Sequence, residues 1–333
     1  MTALLEVRNI KTYFHTQDGI VKAVDGVSYN VNRGETIALV GESGCGKTVS
    51  ALSILRLIAE PAGKIISGEI FFDGVDVLKL SNEEMRKMRG AKISIIFQEP
   101  LTSLNPVLTI GRQISEGLEF HKGLSLYEGM QEATRLLKMV GIPHPERRIY
   151  DYPHQFSGGM RQRAMIAIAI ACQPQLIIAD EPTTVVDVTI QAQLLELIRN
   201  ITKELNTALI LITHNLGIVA RYAQRVFVMY AGNIVEHGSA LDIYHHPCHP
   251  YTAGLLASVP RLDEPRKIRL SPIEGQPPDL IAPPIGCSFK ARCAYSIAQC
   301  EKEKPPLTEV APRHYAACWV SQKGQREWQK KSS

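Results

Sequence analysis

The run Gly41-Glu42-Ser43-Gly44-Cys45-Gly46-Lys47-Thr48 follows the spacing G-x-x-x-x-G-K-[ST], which supplies what a chain needs to hold a string of phosphates. Glycines let successive backbone N–H groups curl round an anion, and a helix N-terminus adds its positive dipole end. A lysine at this position reaches the β- and γ-phosphates, and the hydroxyl after it is placed to hold Mg²⁺. Lys47 and Thr48 occupy those two places. Two further groups fit the same chemistry. Asp180 and Glu181 close the apolar run Leu176 to Ala179, so the first can hold the hydration shell of Mg²⁺ and the second can polarise an attacking water as general base. Ser157-Gly158-Gly159 stands ahead of an apolar stretch to about Ala171 and offers a second helix N-terminus for an anion. Alone, an S-G-G run is usually a loop and a strand ending in two acids is often only solvated. Together with the upstream loop they imply a nucleoside triphosphate site.

These residues need elements to carry them. Thr36 to Val40 reads as a short apolar strand ahead of the glycine loop, and Val49 to Ile58 as the helix after it. Val27, Tyr29 and Val31 alternate with polar Ser28, Asn30 and Asn32, the mark of a half-buried strand. Ile70 and Phe72 alternate between Gly68 and Gly74, and Ile93 to Phe97 is another apolar run. Ser81-x-x-Glu84 and Ser125-x-x-Glu128 are capping boxes that open helices. From about Leu101 the texture is helix and loop, which predicts a helical subdomain over about 101–172. Beyond it, Leu176 to Ala179 and Ala208 to Thr213 read as strands on either side of an amphipathic helix. That helix places Ile190, Leu194, Leu197, Ile198, Ile201 and Leu205 on one face. Val226 to Tyr230 and Ile234-Val235 form a hairpin about Gly232-Asn233. Strands alternating with helices behind a phosphate loop predict an α/β fold with a largely parallel sheet.

Size and composition set the frame. A chain of 333 residues with 45% apolar and 21% charged residues is ordinary globular material. A formal charge of +4 gives no reason to expect nucleic acid or anionic lipid as partner. Glu6, Arg8 and Lys11 interrupt any signal-peptide pattern. The longest apolar runs, such as Met165 to Cys172, fall far short of the ~20 residues that span a bilayer. The expectation is a soluble, cytosolic chain whose contact with a membrane goes through a partner. Around residue 258 the composition shifts, with ten of the twenty prolines in the last 75 residues. The expected division is therefore 1–258 and 259–333, the second part too irregular to build much core without a staple.

With Arg161, Gln162 and Arg163 after Ser157-Gly158-Gly159-Met160, the chain resembles the ABC transporter ATPases over roughly residues 4–258. The resemblance implies a P-loop ATPase fold with a mainly parallel sheet, an antiparallel β subdomain and a helical subdomain. Gln98 then matches the glutamine that senses Mg²⁺ and couples to the membrane subunit. Tyr13 matches the aromatic residue that stacks on adenine, with Phe14 as second choice, and His214 matches the histidine that contacts the γ-phosphate. Gly41, Ser43, Gly44, Cys45, Gly46, Lys47 and Thr48 would wrap ATP; Thr48, Gln98 and Asp180 would serve Mg²⁺; Glu181, His214 and Lys47 would carry hydrolysis. Ser157, Gly158 and Gly159 would complete the ATP site of a second, similar subunit, so the chain must pair, as a heterodimer or, in isolation, a homodimer. Phe156, Met160, Val185-Val186 before Asp187, and Asn215 depart from the family pattern. The D-loop valines bear on communication between the two ATP sites, and Cys45 fills a place usually held by a small neutral residue.

Four of seven cysteines, Cys287, Cys293, Cys300 and Cys318, crowd the C-terminal stretch, with five, six and seventeen residues between them. In a reducing compartment such a group is more often a metal site than a disulfide framework. Three close thiols and one farther on suit a cubane iron–sulfur cluster. Structural Zn²⁺ prefers C-x₂₋₄-C knuckles, which are missing here, and remains an alternative, with unliganded thiols the third reading. The stretch, with His249-Pro250-Tyr251-Thr252 ahead of it, resembles the extension of ATP-binding subunits from dipeptide and oligopeptide importers. That resemblance implies a [4Fe-4S] cluster, two transmembrane permeases, an external peptide-binding protein, and a peripheral place on the cytoplasmic face of the membrane. Other readings are a soluble ABC ATPase acting on ribosomes or nucleic acid, a cluster-bearing redox enzyme, and an importer whose cargo is nickel or another metal chelate.

Overall fold

The computed structural model describes residues 3–183, 188–258 and 273–324. The D-loop residues Val185, Val186 and Asp187, and the basic residues after Gly324, lie outside the described set. The chain folds as two compact units. The first takes in Thr36–Leu78 with the described parts of Met1–Val31 and Thr213–Ser333; the second takes in Asn32–Glu35 and Lys79–Ile212.

The first unit opens with β1 (Leu5–Thr16), β2 (Gly19–Val31) and β3 (Thr36–Val40), then α1 (Lys47–Ile54), β4 (Gly63–Phe72) and β5 (Val75–Asp76). Four of these strands make an antiparallel sheet in the order β2-β1-β4-β5. Alternation settles its faces: Val27, Tyr29 and Val31 are buried while Ser28 is exposed. The buried face rests on α1, where Thr12 Oγ1 lies 2.8 Å from Ser53 Oγ and the Tyr29 hydroxyl 3.0 Å from Ser50 Oγ. The helix expected to reach Ile58 stops at Ile54. Arg56 takes a left-handed backbone conformation (φ 50°), which ends an α-helix.

The second unit carries α2 (Asn82–Met88), β6 (Ile93–Ile96), α3 (Pro100–Ser103), α4 (Ile110–Lys122), α5 (Leu126–Met139), α6 (Pro145–Arg148) and α7 (Gly158–Ile170). It continues with β7 (Leu176–Asp180), α8 (Val188–Glu204) and β8 (Ala208–Thr213). Both capping boxes form as the sequence predicts, at Ser81/Glu84 and Ser125/Glu128. Strand β7 lies between β6 and β8, parallel to each and buried along its length. Parallel strands covered on both faces read as continuous apolar runs, as Leu176 to Ala179 does. Gly129 of α5 lets α4 come close: a Cβ there would sit 2.9 Å from Ser115 Cβ.

The chain then returns to the first unit with α9 (Leu216–Tyr222), β9 (Arg225–Tyr230), β10 (Asn233–Ser239), α10 (Ala240–His245) and α11 (Pro250–Ala257). Its last elements are α12 (Ala298–Lys302), β11 (Thr308–Ala311), β12 (His314–Ala316) and α13 (Trp319–Gln322). β3 pairs with β9 in parallel; β10 then runs antiparallel to β9, β12 to β10 and β11 to β12. The β9–β10 turn is Ala231-Gly232, one residue ahead of the expected Gly232-Asn233. Both turn residues take positive φ (46° and 75°), as a two-residue type I′ hairpin needs, and Asn233 already belongs to β10. Phe289 is buried among Tyr230, Tyr251 and His249, with ring centroids 5.3, 5.5 and 5.7 Å away. The C-terminal segment thus shares the core of Val40, Val228 and Leu255.

Candidate functional site

The glycine loop leaves β3 and enters α1 through two glycines that other residues cannot replace. At Gly46 (φ 103°) a Cβ would stand 2.2 Å from the Ala23 carbonyl oxygen, and at Gly41 one would stand 2.3 Å from that of Met229. The loop is wedged between β2 and β9, and only a residue without a side chain passes. Lys47 is buried, and its ammonium donates to the carbonyls of Gly41 and Glu42 at 2.8 and 2.9 Å. Ser43, Gly44 and Thr48 are exposed around it. A buried ammonium ringed by an open, N–H-rich loop is a receptor for phosphate oxygens. Cys45 fills the space beneath Gly41, and burial pushes its thiol pKa up, so it is packing rather than a reactive group.

Glu42 is held from the other end of the chain. Its N–H donates to the Tyr251 hydroxyl at 2.9 Å. Its two carboxylate oxygens accept from Arg292 Nη1 and Nη2 at 2.7 and 2.9 Å. The bond to Glu42 raises the pKa of the Arg292 guanidinium.

In the second unit, Asp180 ends β7 and is buried. Glu181 follows in the left-handed region (φ 42°), its N–H donating to the Ile212 carbonyl at 3.0 Å. Gln98, exposed just past β6, donates its amide to Glu181 Oε2 at 3.1 Å. A glutamine and a carboxylate in contact beside a buried aspartate can position a water and a hydrated divalent cation. Ser157 caps α7, its hydroxyl accepting from the Met160 N–H at 3.3 Å. Ser157 and Gly158 face solvent while Phe156 is buried beneath them, so the phenylalanine anchors the segment.

In the first unit, His214 stands exposed after β8, and Asn215 caps α9 by accepting from the Gly217 N–H at 3.0 Å. Tyr13 and Phe14 differ in their surroundings. The Tyr13 hydroxyl donates to Asp25 Oδ1 at 2.8 Å, and burial with that bond raises its pKa to about 12. Phe14 lies over Gly63, its cross-strand partner, beside Ile58.

The four C-terminal cysteines are free thiols. Cys300 and Cys318 are buried, Cys287 and Cys293 partly so. Burial raises the thiols of Cys293 and Cys318 to about 11 and about 12, and the charges of other cysteines in the group push the same way.

Sequence patterns did not single out Tyr251 as a phosphate-loop partner, Arg292, or a buried trio of Glu236, Cys248 and His314. Among the described residues, only that trio brings three candidate ligand atoms within 4.8 Å of one another. Its carboxylate already accepts from His314 Nε2 at 2.7 Å and from the N–H groups of Cys248 and His249 at 2.5 and 2.9 Å. It therefore serves as a polar pin inside the core.

The fold and these sites define a P-loop nucleoside triphosphatase. The family description "ABC transporter" matches residues 24–184, and "Oligopeptide/dipeptide transporter, C-terminal region" matches residues 235–300. A probable peptide ABC transporter ATP-binding protein of Sinorhizobium fredii is 50% identical over 318 residues, covering 96% of this chain and 95% of the relative. A dipeptide transport ATP-binding protein of Bacillus subtilis is 50% identical over 320 residues, with 96% and 95% covered. An oligopeptide transport ATP-binding protein of the same organism is 48% identical over 320 residues, with 96% and 89% covered. Among solved structures, the dimeric post-hydrolysis ATP-binding cassette MJ0796 bound to ADP and Pi superposes with a TM-score of 0.64 at 28% identity. It covers 71% of this chain and 98% of its own. The chain belongs to the ABC transporter family, among the ATP-binding subunits that carry the oligopeptide/dipeptide C-terminal region.

Proposed function

We propose that this ABC ATPase powers import of di- or oligopeptides, as part of an assembly with a second ATP-binding subunit and two transmembrane permeases fed by an external binding protein. The observation that carries the reading is the glycine loop at the β3–α1 junction, closed on the buried Lys47 ammonium. In this reading Lys47 and the loop N–H groups bind the phosphates of ATP, while Thr48, Gln98 and Asp180 serve Mg²⁺. Glu181 activates water, and His214 meets the γ-phosphate. Of the two aromatic candidates, Phe14 is favoured over Tyr13 for adenine, because Tyr13 is committed to Asp25. Ser157 and Gly158, presented to solvent, and the half-buried Gly159 beside them complete the ATP site of the partner subunit.

No helix among the described residues is long and apolar enough to cross a membrane. Phe97, Leu101, Val107 and Tyr150 of the second unit are large apolar side chains left exposed. In this reading they offer the permeases a docking surface, with the chain on the cytoplasmic face of the membrane. In cells lacking the native chain, Lys47→Ala should abolish uptake of labelled di- and tetrapeptides that the unsubstituted chain restores. Restored nickel uptake without peptide uptake would overturn the peptide reading in favour of a metal chelate.

For the cysteines we propose a [4Fe-4S] cluster on Cys287, Cys293, Cys300 and Cys318. All four are free thiols, and four soft thiolates match a cubane that takes one thiolate on each of its four irons. The Cys287 N–H donates to the Cys300 carbonyl at 2.9 Å, which holds two of the four cysteines side by side. When bound, the cluster supplies four iron–thiolate bonds that staple an irregular segment, together with a redox couple. Anaerobic purification should yield about four irons and four sulfides per chain; one zinc and no sulfide would replace this assignment.

A further inference from the structure

Arg292 reaches the phosphate loop from the far end of the sequence, 250 positions from Glu42. Its side chain is 4% exposed, against 27% for Glu42. Every face of the guanidinium is used. Nη1 and Nη2 grip the two Glu42 oxygens at 2.7 and 2.9 Å. Nε donates to the Glu274 carbonyl at 3.0 Å and Nη2 to that of Ile273 at 3.1 Å. The plane is steadied by Tyr230 and Phe289, whose ring centroids lie 5.9 and 6.0 Å from Cζ. A two-pronged grip on a carboxylate fixes direction as well as distance. Tyr251, packed on Tyr230 and Phe289, holds the Glu42 N–H at 2.9 Å. The Glu42 carbonyl in turn receives the Lys47 ammonium at 2.9 Å.

We propose that Arg292 is a positioning residue for the phosphate loop: by clamping Glu42 it fixes the loop and neutralises a carboxylate that would otherwise repel the incoming triphosphate. The proposal deepens the nucleotide reading above and rests on it. The C-terminal segment then sets ATP affinity from within the same unit, without touching nucleotide. Glu42 supplies the lever, since its backbone carbonyl steadies Lys47 while its side chain answers to Arg292. Freed from the clamp, the carboxylate would turn its charge toward the phosphate loop, and the carbonyl under Lys47 would lose its fixed position.

Calorimetric titration of Mg-ATP into the full chain and into Arg292→Met, Glu42→Gln and the double variant tests this. Arg292→Met should weaken binding about tenfold, and Glu42→Gln about threefold. The double variant should bind better than Arg292→Met alone, because the uncompensated carboxylate is gone. A role confined to holding the fold would instead lower the unfolding midpoint and leave the affinity of folded protein unchanged. Unchanged affinity in folded Arg292→Met would overturn the proposal. Should that variant fail to fold, unchanged affinity in Glu42→Gln, which leaves the C-terminal segment intact, would overturn it equally. Loss of Mg-ATP binding by the unsubstituted chain would instead overturn the nucleotide reading itself.

Discussion

Glu181 holds a left-handed backbone conformation (φ 42°) that costs a non-glycine residue about 1–2 kcal/mol. The strain is tolerated where it aims a side chain, and here the carboxylate meets Gln98. Glu181→Gly should therefore raise the unfolding free energy by up to about 1 kcal/mol while removing turnover. A variant less stable than the parent in urea unfolding would show that the conformation carries no strain. The two neighbouring aromatics are also separable. Phe14→Ala should weaken ATP binding by about 1–3 kcal/mol, the worth of one stacked base, and Tyr13→Phe, which loses only the bond to Asp25, should leave it unchanged. The reverse result would move adenine to Tyr13.

Among elements, α11 depends on a histidine that must stay neutral. His249 caps it, with Nδ1 accepting from the Tyr251 N–H at 3.1 Å. Burial holds its pKa down at about 3, and that of His237 at about 4. The unfolded chain takes up these protons near pH 6.5 and the folded chain does not, so stability is full above about pH 6.5 and falls as pH drops toward 4. His249→Asn keeps a capping side chain without the titration, and should flatten the dependence of the unfolding midpoint between pH 6.5 and 4. An equally steep slope in the variant would clear His249. The nearby pin behaves differently: His314→Ala strips a donor from the buried Glu236 carboxylate and should cost about 3–5 kcal/mol, read from urea unfolding. A loss under 1 kcal/mol would mean that the two N–H donors suffice.

Elements of this kind mark where the sequence could be read. β3, β8, both capping boxes and the β9–β10 hairpin were legible because their signals are local: apolar runs, a serine with glutamate three residues on, a glycine turn. β11 and β12 were not. Thr308–Ala311 and His314–Ala316 are short and become strands only because β10 offers an edge. The Glu236–His314 and Glu42–Arg292 pairs join residues 78 and 250 positions apart, and no local pattern announces such a contact. Tyr13 and Phe14 were ambiguous for a related reason, since neighbouring residues on a strand face opposite ways and composition cannot say which way is which.

For the whole molecule, the chain is one half of a pair. On the proposed function Ser157 serves a partner's nucleotide, so Ser157→Glu should leave Mg-ATP binding at its own glycine loop intact. Turnover should fall about a hundredfold, the usual loss when a transition-state donor is removed. Loss of binding and turnover together would place Ser157 in its own chain's site. The central claim is that Lys47 and the glycine loop bind ATP and Glu181 activates water to cleave it. The most direct measurement follows Mg-ATP binding and phosphate release in one preparation of the Glu181→Gln chain. The account predicts binding with unaltered affinity and phosphate release reduced at least about a hundredfold. Release at the parent rate would contradict it.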